Sequence, residues 1–380
     1  MRPKTHHFLN RRRKTMKKIL SLTLLVALLV TLLAGCASTA TTAAPAAPAE
    51  TTAAGAAPAE TTAAPAAGGA SYALIVKNTG NPYNEKEAEG FVKAVEEFGG
   101  TAIVKRPANP TAEDQIAMIN ELVSQKVAAI AIAANDVDAL QPAIQKASAA
   151  GIKVISLDSA TNPASRLTHV QQADPVAIGR VLVEAAFDMA GGSGEFAILS
   201  ATSTATNQNT WIANMEKLLA EDAKYKDLKL VKTAYGDDLR DKSVSETEAL
   251  LQTYPNLKVI VAPTTVGIAA AAKVVTDKGL LGKVFITGLG LPSEMAEYMK
   301  EGGACPYMFL WNPIDIGYLA GYTAKAMVEG ATGAIGEKFE AGALGTKEVV
   351  VATSGDGGTE VVLGDPFKFD TANIAEWSKV

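Results

Sequence analysis

YALIVKN (72–78), EKEAEGFVKAVEEFGG (85–100) and TAIVKRP (101–107) follow one another and decide the fold of this chain. The first and third are short, near-continuously apolar runs, which is how a strand reads when both faces of its sheet are covered. The middle segment is helical and stops at two glycines. The series goes on. TAEDQIAMINELVSQ (111–125) sets Ile116, Ile119 and Val123 on one face, with Thr111 placed to cap it. AAIAIAA (128–134), a helix through VDALQPAIQKASAAG (137–151) and KVISLDS (153–159) complete a βαβαβαβ unit with a parallel sheet.

The pattern then restarts. RLTHVQQ (166–172) leads to a helix opened by Asp174 and Pro175, a capping residue followed by proline at the first helical position. Strands EFAILSAT (195–202), LKLVKTAYG (228–236), KVIVAPT (258–264) and KVFITGLG (283–290) follow, separated by helical runs. One more strand, YMFLWNP (307–313), precedes the helix IDIGYLAGYTAKAMVEG and a β-rich tail. The expected class is α/β, with two doubly wound parallel-sheet lobes joined by a hinge that the chain crosses several times. Residues 71–171 form the first lobe, with 312–332 crossing back to it; 172–311 form the second, with the tail 333–380.

Ahead of the lobes, a basic stretch (Arg11 to Lys18) precedes an apolar run from Ile19 to Ala34, the layout of an export signal too short for a comfortable membrane span. It ends at Leu33-Ala34-Gly35-Cys36, which resembles the lipobox of bacterial lipoproteins and implies a leader 1–35 and a lipid on the Cys36 thiol. Residues 36–70 repeat TTAAPAAPAE-like units of Ala, Thr and Pro, read as a disordered tether. The expected location is the outer face of the cell membrane. Without the leader, 27 basic residues stand against 40 acidic ones, a formal charge of −13, which argues against a nucleic-acid partner. The only cysteines are Cys36 and Cys305, so with Cys36 lipidated no internal disulfide forms.

Catalytic constellations are not legible. His169 is the one histidine after the leader and reads as structural, Cys305 has no acidic or basic organiser nearby in sequence, and no His/Cys cluster has zinc spacing. TGLGLPSE (287–294) carries half of a dinucleotide fingerprint and reads as a strand-to-helix turn. DDLRDKSVSE (237–246) lacks the glycine of a calcium loop and reads as a solvated helix start. No cofactor and no metal is expected. Strand ends, by contrast, carry polar and aromatic residues: Lys77 with NTGNPY, Asn135 and Asp136, Asp158, Gln171 and Gln172, Asn207 to Asn209 with Trp211, Pro263 to Thr265, and Trp311 with Asn312. Amides and carboxylates pair with hydroxyls, and an aromatic face packs on the C–H patch of a sugar.

AILSATSTATNQNTWI (197–212), YGDDLRDKS (235–243), VIVAPTTVGIAAAAKVV (259–275), GLLGKVFITGLGLPSEMA (279–296), WNPIDIGYLA (311–320) and GDPFKFDTANIAEW (364–377) are similar to rhamnose-binding members of the type I periplasmic binding proteins of bacterial ABC importers. The autoinducer-2-binding proteins are a sister group that the chain also resembles. The resemblance implies a monomeric, non-enzymatic protein that closes on one small ligand and hands it to permease subunits. It places Lys77, Asp158, Gln172 and Pro263 on ligand positions of the autoinducer-2 receptors, Thr265 where those have alanine, and Gln171 on another polar contact. Tyr83 matches the aromatic that sugar binders stack on their ligand, with Asn84 where a second aromatic often stands. Asn209 and Trp311 complete the expected site. Gly290 stands where ribose and galactose binders carry an acid, and Thr264-Thr265 where they carry Asn-Asp, which counts against ribose, xylose and galactose. Rhamnose is the expected ligand and autoinducer-2 the alternative.

Overall fold

The computed structural model describes residues 69–378; the basic leader, Cys36 and the Ala/Thr/Pro tract fall outside them. Strands β1 (Ser71–Ile75), β2 (Thr101–Lys105), β3 (Ala129–Ile132), β4 (Lys153–Leu157) and β5 (His169–Gln171) form a parallel sheet in the order β2-β1-β3-β4-β5. Helices α1 (Pro82–Glu97), α2 (Ala112–Gln125) and α3 (Gln141–Ala149) link the first four strands. Side chains alternate across the sheet. Ala73 and Ile75 pack with Ile119, Leu122 and Ile144 of α2 and α3, while Leu74 and Val76 join the main core on the opposite face. This two-sided burial is why these strands read as unbroken apolar runs.

The second lobe repeats the plan. Its elements are α4 (Pro175–Met189), β6 (Gly194–Ser200), α5 (Thr206–Glu221), β7 (Leu228–Tyr235), α6 (Arg240–Thr253), β8 (Leu257–Ala262), α7 (Thr265–Asp277) and β9 (Phe285–Gly288). The parallel order is β7-β6-β8-β9. After a short helix α8 (Pro292–Met295), β10 (Tyr307–Leu310) meets the end of β9 through a parallel bridge between Leu289 and Phe309. Both lobes thus share one strand order, with the chain doubling back beside the first strand of each.

The chain crosses between lobes three times. Gln171 at the end of β5 leads to α4; β10 leads to α9 (Pro313–Val328), which packs on α1 and on β3 and β4. Ala129 and Ala131 are the buried β3 side chains on the face that holds Leu74, and their small size lets α9 lie close to the sheet. After the hairpin β11 (Lys338–Glu340) and β12 (Thr346–Glu348), β13 (Val350–Val351) and β14 (Thr359–Val362) extend the first sheet beyond β5. The third crossing brings β15 (Phe367–Asp370) antiparallel to β10, followed by α10 (Ile374–Trp377). The tail expected with the second lobe is therefore divided. Its middle pairs with β5, because β5 is an open edge carrying apolar Val170 that Val361 covers.

Asx-Pro pairs start three helices that border the cleft or the crossings. Asn81, Asp174 and Asn312 each accept a hydrogen bond from the backbone N–H two residues on, at 3.0, 2.9 and 3.0 Å, with proline at the first helical position. Such a cap contributes about 0.5–2 kcal/mol and fixes where the helix begins.

Candidate functional site

In a doubly wound sheet, ligands sit beyond the carboxyl ends of the strands, where the order reverses about the first strand. Here two such edges face each other. From the first lobe come Lys77 after β1, Asn81, Tyr83 and Asn84 at the start of α1, and Asp158 after β4. The second lobe supplies Asn207, Gln208 and Trp211 on the first turns of α5, Asp238 after β7, Pro263 to Thr265 after β8, and Leu289; Leu310 and Trp311 lie at the second crossing.

Lys77 and Asp158 organise the wall. Lys77 Nζ donates to Asn207 Oδ1 at 2.9 Å and to Gln208 Oε1 at 3.4 Å, and lies 3.8 Å from Asp158 Oδ2. Asp158 has φ of +56°, a left-handed conformation that turns its side chain back into the cleft at a cost of roughly 1–2 kcal/mol. Its carboxylate accepts from Tyr83 Oη at 3.2 Å and from Asn207 Nδ2 at 3.1 Å. Trp311 Nε1 donates to Tyr83 Oη at 2.7 Å, with the two rings nearly perpendicular at 89°. Trp211 stands edge-on to Trp311, ring centres 5.8 Å apart. This gives a hydrogen-bonded charged end and an aromatic end in one cleft.

Several of these bonds cross between lobes: Lys77 and Asp158 to Asn207, Thr265 Oγ1 to Asn81 Oδ1 at 3.2 Å, and Thr204 Oγ1 to the Asn135 carbonyl at 2.9 Å. The lobes are shut, and the space left between them is about 30 Å³. That is room for about two water molecules, so any larger ligand must take over some of these cross-lobe partners.

Burial raises the Asp158 carboxyl above its usual range, opposed by Lys77 and by the hydrogen bond from Tyr83. Asp238, bonded to Thr264 Oγ1, is likewise raised by burial against the pull of Lys77. Burial, then Asp158 and Glu87, push the Tyr83 phenol far up, so it remains a neutral donor and acceptor. The wall thus offers one ammonium, two carboxyl groups, amides and a phenol.

Glu87, one helical turn beyond Tyr83, is fully buried, and neither carboxyl oxygen has a hydrogen-bond partner. Burial and then Asp158 raise it well above its ordinary value, Lys77 acting against them. Burial therefore favours the neutral acid in the folded state. This contribution to stability is complete below the unfolded-state value of about 4.3 and is lost as pH rises through the folded-state value. Glu87→Gln, which cannot ionise, should show a Tm advantage over the parent that widens from pH 5 to pH 8. A flat difference across that range would refute a neutral Glu87.

Of the sequence-derived candidates, Lys77, Tyr83, Asp158, Pro263, Thr265 and Trp311 come together in this wall. Three do not. Asn209 turns away on α5 and donates to the Ser203 carbonyl at 2.9 Å, because helical phase puts positions 207, 208 and 211 on the cleft face. Gln171 lies behind the cleft, its Nε2 donating to the Ala173 carbonyl at 2.7 Å. Gln172 is wholly buried in the first crossing with neither amide atom hydrogen-bonded. Asp238 was hidden by its exposed-looking DDLRDKS context, and only the approach of Thr264 from β8 reveals it. At Gly290 a side chain would run into Met308 and Met295, so the acid of ribose binders has no room.

His169 is buried against Ser156 Oγ at 2.9 Å, and burial followed by Arg166 lowers its pKa to about 3. Burial raises the Cys305 thiol, which disfavours the nucleophilic thiolate. Among the described residues no helix is long and apolar enough to cross a membrane, and no group of three or more His, Cys, Asp or Glu could hold a metal ion.

A solute-binding protein of an ABC transporter from Clostridium phytofermentas, solved with bound L-rhamnose, is 53% identical, with a TM-score of 0.80 over 82% of this chain and 98% of that one. LsrB from Clostridium saccharobutylicum in complex with AI-2 is 25% identical, with a TM-score of 0.76 over 81% and 99%. Among curated proteins, the D-apiose import binding protein of Actinobacillus succinogenes is 25% identical over 53% of this chain; the match spans 64% of that relative, just under two thirds of its length. The periplasmic binding protein domain model matches residues 72–332, and the chain belongs to that family.

Proposed function

We propose that this protein is the solute-binding component of a sugar ABC importer, and that it captures L-rhamnose between its lobes without chemical change and passes it to permease subunits. The observation that carries the reading is the cleft itself: Lys77 and Asp158 of the first lobe both bond Asn207 of the second across it, with Tyr83 and Trp311 beside them. A ligand bearing both donors and acceptors can replace these bonds and hold the lobes together, which is the differential interaction that closure needs. The 53%-identical relative with bound L-rhamnose favours that sugar. Gly290 in place of an acid fits a ligand other than ribose.

The protein as a monomer, and the division of its lobes at 171/172 and 311/312, belong to the same proposal. So does the anchor. The family works outside the cytoplasm, and Cys36 after its lipobox-like tripeptide would carry the lipid that holds the protein to the outer face of the membrane. Cys36→Ser should release it from the membrane fraction; retention there would overturn the anchor.

Calorimetric titration with L-rhamnose, ribose and autoinducer-2 tests the ligand. Saturable one-to-one binding of rhamnose is the expected result. Binding of autoinducer-2 alone would transfer the role to signal uptake, as the likeness to LsrB allows. A rhamnose phosphate should bind at least about tenfold more weakly than the neutral sugar, because two carboxyl groups face one ammonium and like charges in contact cost several kcal/mol.

A further inference from the structure

A second chamber lies behind the cleft, toward the first crossing. It holds about 120 Å³, is partly open to solvent past Ser354 and Asp356, and shares three wall residues with the cleft: Asp158, Asn207 and Trp211. Between the two spaces stand these shared residues, and Asn207 Nδ2 donates to Asp158 Oδ2 at 3.1 Å, joining one lobe to the other. The far walls are Gln171 and His169 from β5, Thr206 and Thr210 from α5, and Ser354 and Asp356 from the tail. His169 uses Nδ1 toward Ser156 and its ring also bonds the Gln171 side chain, whose Nε2 donates to the Ala173 carbonyl, while Asp356 accepts from Arg166 and from the Gly358 N–H. The Thr206 hydroxyl, buried without a hydrogen-bond partner, the remaining lone pairs of Gln171 and Asp356, and the Trp211 ring are groups a sugar subsite uses.

We propose that this chamber is a second subsite, which takes a further hydroxylated ring attached to the sugar held in the cleft, so that the protein accepts a short glycoside as well as the monosaccharide. The inference rests on the sugar-binding reading above. When the ligand in the cleft takes Asp158 as its acceptor, the Asp158–Asn207 bond gives way and the two spaces become one. At about 15 Å³ for each water-sized position, the chamber holds roughly eight such positions, enough for one pyranose ring, whereas the cleft alone holds about two.

The test is calorimetric titration of the purified protein with L-rhamnose and with an α-L-rhamnosyl disaccharide, repeated on Thr210→Phe and Ser354→Trp. These substitutions reach into the chamber from α5 and from the tail and replace none of the cleft residues. Disaccharide affinity within about tenfold of the monosaccharide, lost by tenfold or more in both variants while rhamnose affinity stays within twofold, is expected. Two results overturn the subsite: a parent protein that binds rhamnose but rejects the disaccharide, or variants that weaken both ligands alike. If one variant fails to fold, the other still decides. Should rhamnose fail to bind, the rhamnose reading falls, and the monosaccharide that does bind is paired with its own disaccharide under the same criteria. If no sugar of either size binds, both readings are overturned.

Discussion

Asp158→Asn lowers affinity for the bound sugar by about 30-fold to several-thousand-fold while the lobes keep their fold. The range corresponds to about 2–5 kcal/mol, the usual cost of removing one partner from a buried hydrogen-bonded charged group. Asparagine is the informative replacement. It has nearly the same shape, and it tolerates the left-handed backbone at φ of +56° better than alanine does. What it removes is the negative charge and one of two acceptor oxygens, both of which the cleft uses: one accepts from Tyr83, the other from Asn207 with Lys77 at 3.8 Å. A ligand hydroxyl arriving at this position finds an amide donor where an acceptor stood. Lys77 loses its nearest counter-charge and turns toward Asp238 or solvent. The measurement is calorimetric titration of both proteins, with circular dichroism to establish that folding is intact. Affinity within threefold of the parent would mean that Asp158 faces the interior of the first lobe rather than the ligand.

The two-lobe architecture was legible because each strand of the parallel sheets is buried on both faces, and an unbroken apolar run of that length is hard to place elsewhere. Local chemistry placed helix starts equally well. Thr111 and Asp174 cap the helices that their side chains suggested, since a cap depends only on residues two or three positions away. The tail was not legible in the same way. Whether a two-residue strand such as Val350–Val351 joins one sheet or another is decided by which edge is open, and no periodicity within the segment records that.

The site divides along the same line. Lys77, Tyr83 and Asp158 stand at strand or helix ends, where topology alone directs them to the cleft. Asn207 and Gln208 were visible as a polar run but not separable from Asn209, because the phase of α5 was needed to choose among three neighbours. The paired glutamines show the limit of alternation. Gln171 and Gln172 lie at the end of a strand, so consecutive side chains part to opposite sides, and which side faces ligand depends on how the chain leaves β5 for the second lobe. Asp238 depended wholly on tertiary structure. Its neighbours in sequence are charged, yet it is buried because Thr264 and Lys77 converge on it from two other strands.

Gly317→Ala destabilises the protein by about 3 kcal/mol, a fall in Tm of about 5 °C, although helix propensity alone predicts a gain of nearly 1 kcal/mol. The sign reverses because α9 and α1 cross with their backbones in contact. A methyl group at Gly317 would overlap the Glu87 carbonyl, and one at Gly90 would overlap the Ile314 carbonyl. Four residues beyond Gly317, a methyl at Gly321 would come within 2.7 Å of Ala94 Cβ. These positions lie along one ridge on each helix, so small residues let the ridges mesh. A carbonyl held within a helix cannot yield as a side-chain tip can, and the helices must separate instead. Function is affected with the fold, since α9 begins at Asn312 and Pro313, directly after Trp311, and any shift of α9 pulls the Trp311 indole from its hydrogen bond to Tyr83. Gly90→Ala should behave alike. The double variant should cost less than the sum of the two, because helices already parted for one methyl admit the other. Thermal unfolding of the three variants checks this. An unchanged or raised Tm for Gly317→Ala, or strict additivity in the pair, would show that α9 does not dock on the first lobe through this crossing.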